Sequence, residues 1–196
     1  MSPDRFAFTE NLLNLAAVIY HPEDDIDSLL ASFAHHLRND GCRLGGIVQQ
    51  NWRKDCGPTK LMEVIDLMTD RTIPICQNLG PGSTACKLDE AGLAEAVQAV
   101  RQAIADEVDL VIVNKFGKTE AEGRGLRAEI AEAIVAGRPV LTAVSTRVYP
   151  AWRAFTGGFG TTLLCDDAVI QDWWHDIARK LDRRRSNFSA TMPVAT

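Results

Sequence analysis

Long apolar runs are missing from this chain. Its longest are no more than a strand in length, which excludes the ~20-residue helix needed to cross a bilayer, so no membrane insertion is expected. A surplus of positive charge is missing as well. With 21 Lys and Arg against 26 Asp and Glu, the formal net charge is -5. A general nucleic-acid binder displaces counterions from phosphates with net positive charge, so that class is set aside and no nucleic-acid partner is expected. The five cysteines, Cys42, Cys56, Cys76, Cys86 and Cys165, form no C-x-x-C pair and are odd in number, which excludes a zinc-finger spacing and predicts free thiols. Of these, Cys42, Cys76 and Cys165 border apolar stretches and are expected in the core, whereas Cys56 and Cys86 fall in loops. The start of the chain, MSPDRFAFTENLLNLAAVIY, carries acidic residues and no basic region ahead of a leader-like stretch, which predicts a cytoplasmic protein. Internal repeats are absent too.

What is present suits one α/β domain. The 196 residues are 46% hydrophobic and 24% charged, enough to bury a central sheet. A single domain is expected over 1–182, with a basic, then polar tail over 183–196 that frays and carries Arg183, Arg184 and Arg185. Near-continuous apolar runs predict buried strands at 15–20, 108–113 and 140–144, with another at 161–165. The segments 44–50 and 61–67 read as a half-buried β-hairpin, and 71–77 as a short extended piece. Helical periodicity marks 26–38, 89–105 with Asp89 as N-cap, a helix starting between Thr119 and Gly125 and running to Ala136, and 167–182. Alternation of strands and helices predicts a mainly parallel central sheet with helices on both faces and the hairpin as an antiparallel extension.

Two loops carry anion-handling chemistry. In VDLVIVNKFGKTEAEGRGLRAEI an apolar strand stops at Asn114 and Lys115, and a loop punctuated by Gly117, Gly123 and Gly125 follows, with Lys118 and Arg124 adding positive charge. Ligands of open α/β sheets bind at the carboxyl ends of strands, where glycines let backbone come close. In NLGPGSTACK, Gly80 and Gly82 let backbone N–H groups converge, Ser83 and Thr84 add hydroxyls, and Lys87 adds charge just before the Asp89-capped helix. Together these residues suit a small tetrahedral oxyanion. The competing reading of each loop is an ordinary turn entering a helix with a solvated charged rim.

A third stretch argues against bound nucleotide. Where a phosphate-binding NTPase has glycines and a lysine after its first strand, this chain has HPEDDIDSLL, with Glu23, Asp24, Asp25 and Asp27. One carboxylate roughly 5 Å from a phosphate charge costs about 3 kcal/mol at an effective dielectric near 20, more than the helix dipole returns. The acids are expected instead to serve the N-terminus of the first helix. Asp66 and Glu63, Asp109 and Glu120, and His21, His35, His36 and His175 form no recognisable triad or metal spacing. Trp52, Trp152, Trp173 and Trp174 are expected in packing, with Trp152, between Pro150 and Gly157-Gly158, the candidate for stacking on a planar ligand.

The order strand, helix, NDGCRLGGIVQQ, hairpin, long helix, VDLVIVNKFGKTE, helix, GRPVLTAVSTR resembles the thermophile-type nucleoside triphosphatases, whose fold is P-loop-NTPase-like. Two departures matter: YHPEDDIDSLL replaces the phosphate loop, a degenerate Walker A, and Asn114-Lys115 replaces an acidic pair that would hold magnesium. QNLGPGSTACKLDEAGL and VNKFGKTEAEGRGLR resemble more closely an uncharacterised bacterial family that looks like a degenerate offshoot of those enzymes, often encoded beside or fused to molybdate transport components. The resemblance implies handling of molybdate or tungstate. The expected function is binding of a small oxyanion, through Ser83, Thr84 and Lys87 on one loop and Lys115, Lys118 and Arg124 on the other. Whether the chain is an enzyme stays open, and so does any cofactor. The alternatives are a nucleoside triphosphatase with a rearranged phosphate site, in which Glu120 or Asp109 assists water or metal, and an interaction module whose Trp-rich carboxyl-terminal third packs on a copy of itself, as a homo-oligomer, or on a transporter component.

Overall fold

The computed structural model describes residues 14–53, 60–77 and 87–191. In chain order the elements are β1 (Leu15–Tyr20), α1 (Ile26–Asn39), β2 (Leu44–Arg53), β3 (Lys60–Asp66), β4 (Thr72–Pro74), β5 (Cys76–Gln77), β6 (Lys87–Leu88), α2 (Glu90–Ala105), β7 (Leu110–Phe116), α3 (Lys118–Ala121), α4 (Arg127–Val135), β8 (Val140–Ser145), α5 (Tyr149–Thr156), β9 (Thr161–Leu164) and α6 (Asp167–Thr191). Seven strands form one sheet in the order β4-β3-β2-β7-β8-β1-β9, and β5 pairs with β6 apart from it. From β2 to β9 every pairing is parallel, while β2–β3 and β3–β4 are antiparallel. This is the expected α/β sheet with its hairpin extension.

The apolar runs explain which strands lie inside. In β1, Leu15 to Val18 are fully buried, and Val111, Ile112 and Val113 of β7 and Val140, Leu141, Ala143 and Val144 of β8 are likewise sealed. Strands covered on both faces must be apolar at successive positions, not alternate ones. The step from β1 to β2 travels one way along the sheet, and the steps from β2 to β7, β7 to β8 and β8 to β9 travel the other way. Right-handed crossovers therefore put α1 on one face and α2, α4 and α5 on the opposite one. Two cores follow: Leu30 and Phe33 pack with Ile170 and Trp174 of α6 on the first face, and Val100, Ile130 and Trp152 share the second. Gly45 sets the spacing of α2, because a Cβ there would stand 2.3 Å from the Cβ of Ala103.

Three local expectations are corrected. The helix expected to start between Thr119 and Gly125 is split into α3 and α4, because Gly123 at φ 87 and Gly125 at φ 62 take left-handed backbone that an α-helix cannot contain. The last helix continues to Thr191 rather than ending at 182. Cys76 is disulfide-bonded, not a free thiol, and its partner lies outside the described residues; Cys42 and Cys165 are thiols. Spacing along a sequence cannot reveal a bridge between cysteines that only the fold brings together.

Candidate functional site

The parallel strands β1, β2, β7, β8 and β9 end at one edge of the sheet, and β1 and β8 are neighbours whose following helices go to opposite faces. That divergence opens the crevice where α/β sheets receive ligands. Beside it, β7 ends in an irregularity: its register against β8 shifts between Val113 and Phe116, and Lys115 is held at φ 115. A non-glycine residue there stores strain of order 1–3 kcal/mol, which the surroundings must offset. The offset is visible in its contacts. The Lys115 Nζ lies 2.9 Å from both carboxylate oxygens of Asp27, in the first turn of α1, and Asn114 Nδ2 donates to Asp27 Oδ1 at 2.9 Å. The ammonium also stands 5.7 Å from the centre of the Tyr20 ring. Burial pushes the Tyr20 phenol above its ordinary value, the Asp27 charge pushes it further, and a hydrogen bond with Ser145 pulls it back.

Asp27 and Lys115 side chains are 13% and 24% exposed, so this pair is half-sheltered and not a solvated surface contact. The charge of Lys115 is taken up by a carboxylate of the chain itself. Asn114 is buried, and its Oδ1 has no hydrogen-bond partner among the described residues.

The loop after β7 repeats this arrangement. Glu120 is buried, accepting from Gly117 N at 2.8 Å through Oε2 and from Leu126 N at 3.1 Å through Oε1. The backbone N–H groups that glycines would present to a ligand are thus gripping an anion supplied by the loop. Gly125 is required there, since a Cβ would stand 2.0 Å from Glu120 Oε1. Lys118 and Arg124 are exposed and share Glu122, at 3.7 and 2.5 Å. Arg124 holds the Glu122 carboxyl below its ordinary range, with Lys118 adding to the effect. Arg127, which sequence reasoning passed over, donates to Glu120 O at 3.1 Å, and its guanidinium lies 4.4 Å from the centre of the Phe155 ring.

Of the other expected residues, Gly80, Gly82, Ser83 and Thr84 lie outside the described residues, and only the backbone of Lys87 is described, opposite Gln77. Both ends of their loop reach the carboxyl edge, since β4 runs parallel to β2 and α2 must lead back to the start of β7. Asp109 stands at the opposite edge: it precedes β7 and accepts from Arg43 N at 2.9 Å. Seven strand residues at about 3.3 Å each separate it from the crevice, so it cannot act with Glu120. Trp152 is buried against Phe116, ring centres 5.1 Å apart, which removes it as a stacking platform. Trp173 and Trp174 are buried as well, so they are not an exposed contact surface.

The acids after β1 do local work. Asp24 accepts from His21 N at 2.7 Å, and Asp25 caps α1 by accepting from Ser28 N at 3.3 Å. Asp24 and Asp25 also face Cys165, whose thiol is pushed up by burial first and then by Asp24, Asp166 and Asp25. Among the described residues, no three His, Cys, Asp or Glu side chains are grouped as metal ligands.

A family model described as a protein of unknown function, DUF2478, matches residues 15–173, from β1 into α6. The chain belongs to this family. The DUF2478 chain is also 54% identical over 178 residues to a protein of Bradyrhizobium diazoefficiens named "Molybdenum import ATP-binding protein ModC 2", an alignment that covers 91% of this chain and 20% of that protein. It therefore spans about a fifth of that relative's length, and the relative's name describes a much longer polypeptide.

Proposed function

We propose that this DUF2478 chain binds a small oxyanion, molybdate or tungstate, at the carboxyl edge of its sheet. In this reading it is a cytoplasmic unit of one domain, built on a P-loop-NTPase-like core that no longer hydrolyses nucleotide. The observation that carries the reading is the grip of Lys115 and Asn114 on both oxygens of a carboxylate beside the β1–β8 crevice. These donors would suit an anion with two adjacent oxygens, and Lys118 and Arg124, which share Glu122, would contribute positive charge from the same loop. Gly80, Gly82, Ser83, Thr84 and Lys87 would complete the site from the other loop. Similarity to part of a protein named for molybdenum import supports the choice of anion. The nucleotide-hydrolysing alternative is weaker, because Asp109 is at the far edge and both oxygens of Glu120 are engaged by backbone amides.

Calorimetric titration with sodium molybdate, tungstate, sulfate and phosphate tests this. Each charge-assisted hydrogen bond contributes about 1.5–3 kcal/mol, so Lys115→Ala should weaken molybdate binding roughly tenfold to a hundredfold. No binding by the unaltered chain at millimolar molybdate, or equal affinity in the variant, would overturn the assignment.

A second reading, an interaction module, draws on a different observation. A groove of about 390 Å³ runs between α4 and α5, lined by Ile134, Phe155 and Phe159, with Phe159 half exposed. Light scattering with and without molybdate would detect self-association through it.

A further inference from the structure

We infer that Asp27 is the resident occupant of the oxyanion site, and that an external anion enters by displacing its carboxylate. This rests on the oxyanion reading and adds what regulates the site. Asp27 presents two oxygens, as an oxyanion does, and takes the ammonium of Lys115 on both and the amide of Asn114 on one. The donors keep this aim at a cost: Lys115 holds φ 115, and Asn114, by turning Nδ2 to Asp27, leaves its buried Oδ1 without a partner among the described residues. A buried orphan acceptor is unfavourable. A site that tolerates both penalties is organised around negative charge.

The carboxylate is tethered through the first turn of α1, so it competes at an effective concentration of roughly millimolar or more. An anion scarcer than that binds only if its contacts exceed those of Asp27. The displaced carboxylate, still nearby on α1, then repels the newcomer. Asp27 accordingly sets the threshold anion concentration below which the site stays filled by the chain itself. Substitution by asparagine removes the charge and keeps the shape. A carbonyl oxygen can still accept from Lys115 or Asn114, but a neutral amide is a far weaker rival for the ammonium.

The test is titration of sodium molybdate into the unaltered chain, Asp27→Asn, Lys115→Ala and Asp27→Asn/Lys115→Ala by calorimetry, with thermal unfolding to show that each is folded. The expected result is that Asp27→Asn binds at least tenfold more tightly than the unaltered chain and that adding Lys115→Ala abolishes the gain. If the unaltered chain binds, Lys115→Ala weakens it, and Asp27→Asn binds no more tightly, the displacement inference fails while the oxyanion reading stands. If the unaltered chain does not bind at millimolar molybdate, both fail. Should Asp27→Asn prove unfolded, Asp27→Ser in the same titration decides by the same criterion.

Discussion

At Lys115, charge and backbone make separable demands. Its amine compensates Asp27, and its positive φ asks for glycine. Both Lys115→Ala and Lys115→Gly delete the amine and leave a half-sheltered carboxylate short of a partner, at a cost of about 1–3 kcal/mol. Only glycine also relieves the strain, so Lys115→Gly should be the more stable of the two by about 1 kcal/mol in urea denaturation, despite its greater unfolded-state entropy. Equal stability would mean that the φ carries no cost. Tyr20 gives a pH signature. Its folded pKa lies above the ordinary value of 10.0, chiefly through burial, so the fold favours the protonated phenol. That contribution is complete below about pH 10 and is lost as pH rises through the folded value. Tyr20→Phe should therefore lose less stability than the unaltered chain between about pH 10 and 12, as read from denaturation midpoints.

The segment from β7 to α4 shows what a sequence reveals of an element and what it hides. The strand was legible because its residues are buried on both faces and apolar in succession, and the glycines marked the loop correctly. The division into α3 and α4 was not, since it depends on Glu120 folding back to accept from Gly117 N and Leu126 N. A glutamate within a helical pattern carries no mark of that task. Asp27 was hidden in the same way: its acidity was plain, but its partners lie far along the chain, at Asn114 and Lys115. Glu120→Ala strips one buried and one part-buried amide of their acceptor and should lower stability by about 2–4 kcal/mol. In Glu120→Gln one oxygen remains to accept, and the loss should be smaller. A stable Glu120→Ala protein in thermal unfolding would instead free Glu120 for the catalytic role that the hydrolase alternative assigns to it.

Across the molecule, fold class and hairpin could be read ahead of the structure, whereas strand order could not. Apolar runs identify interior strands without saying which lie side by side. The position of β1 has a consequence for how the chain matures. It precedes every other described strand, yet its hydrogen-bonding neighbours are β8 and β9. During synthesis, β1 emerges with both hydrogen-bonding edges bare and must wait for most of the domain before either is paired. Such non-local pairing slows folding and leaves strand edges open to chaperones and to other chains. Nascent chains stalled at Arg138 should be protease-sensitive and retained by a holdase, and those stalled far enough beyond α6 for it to clear the exit tunnel should resist. On the ribosome, then, the strand that leads into the candidate site is made before every other described strand and is among the last to be secured.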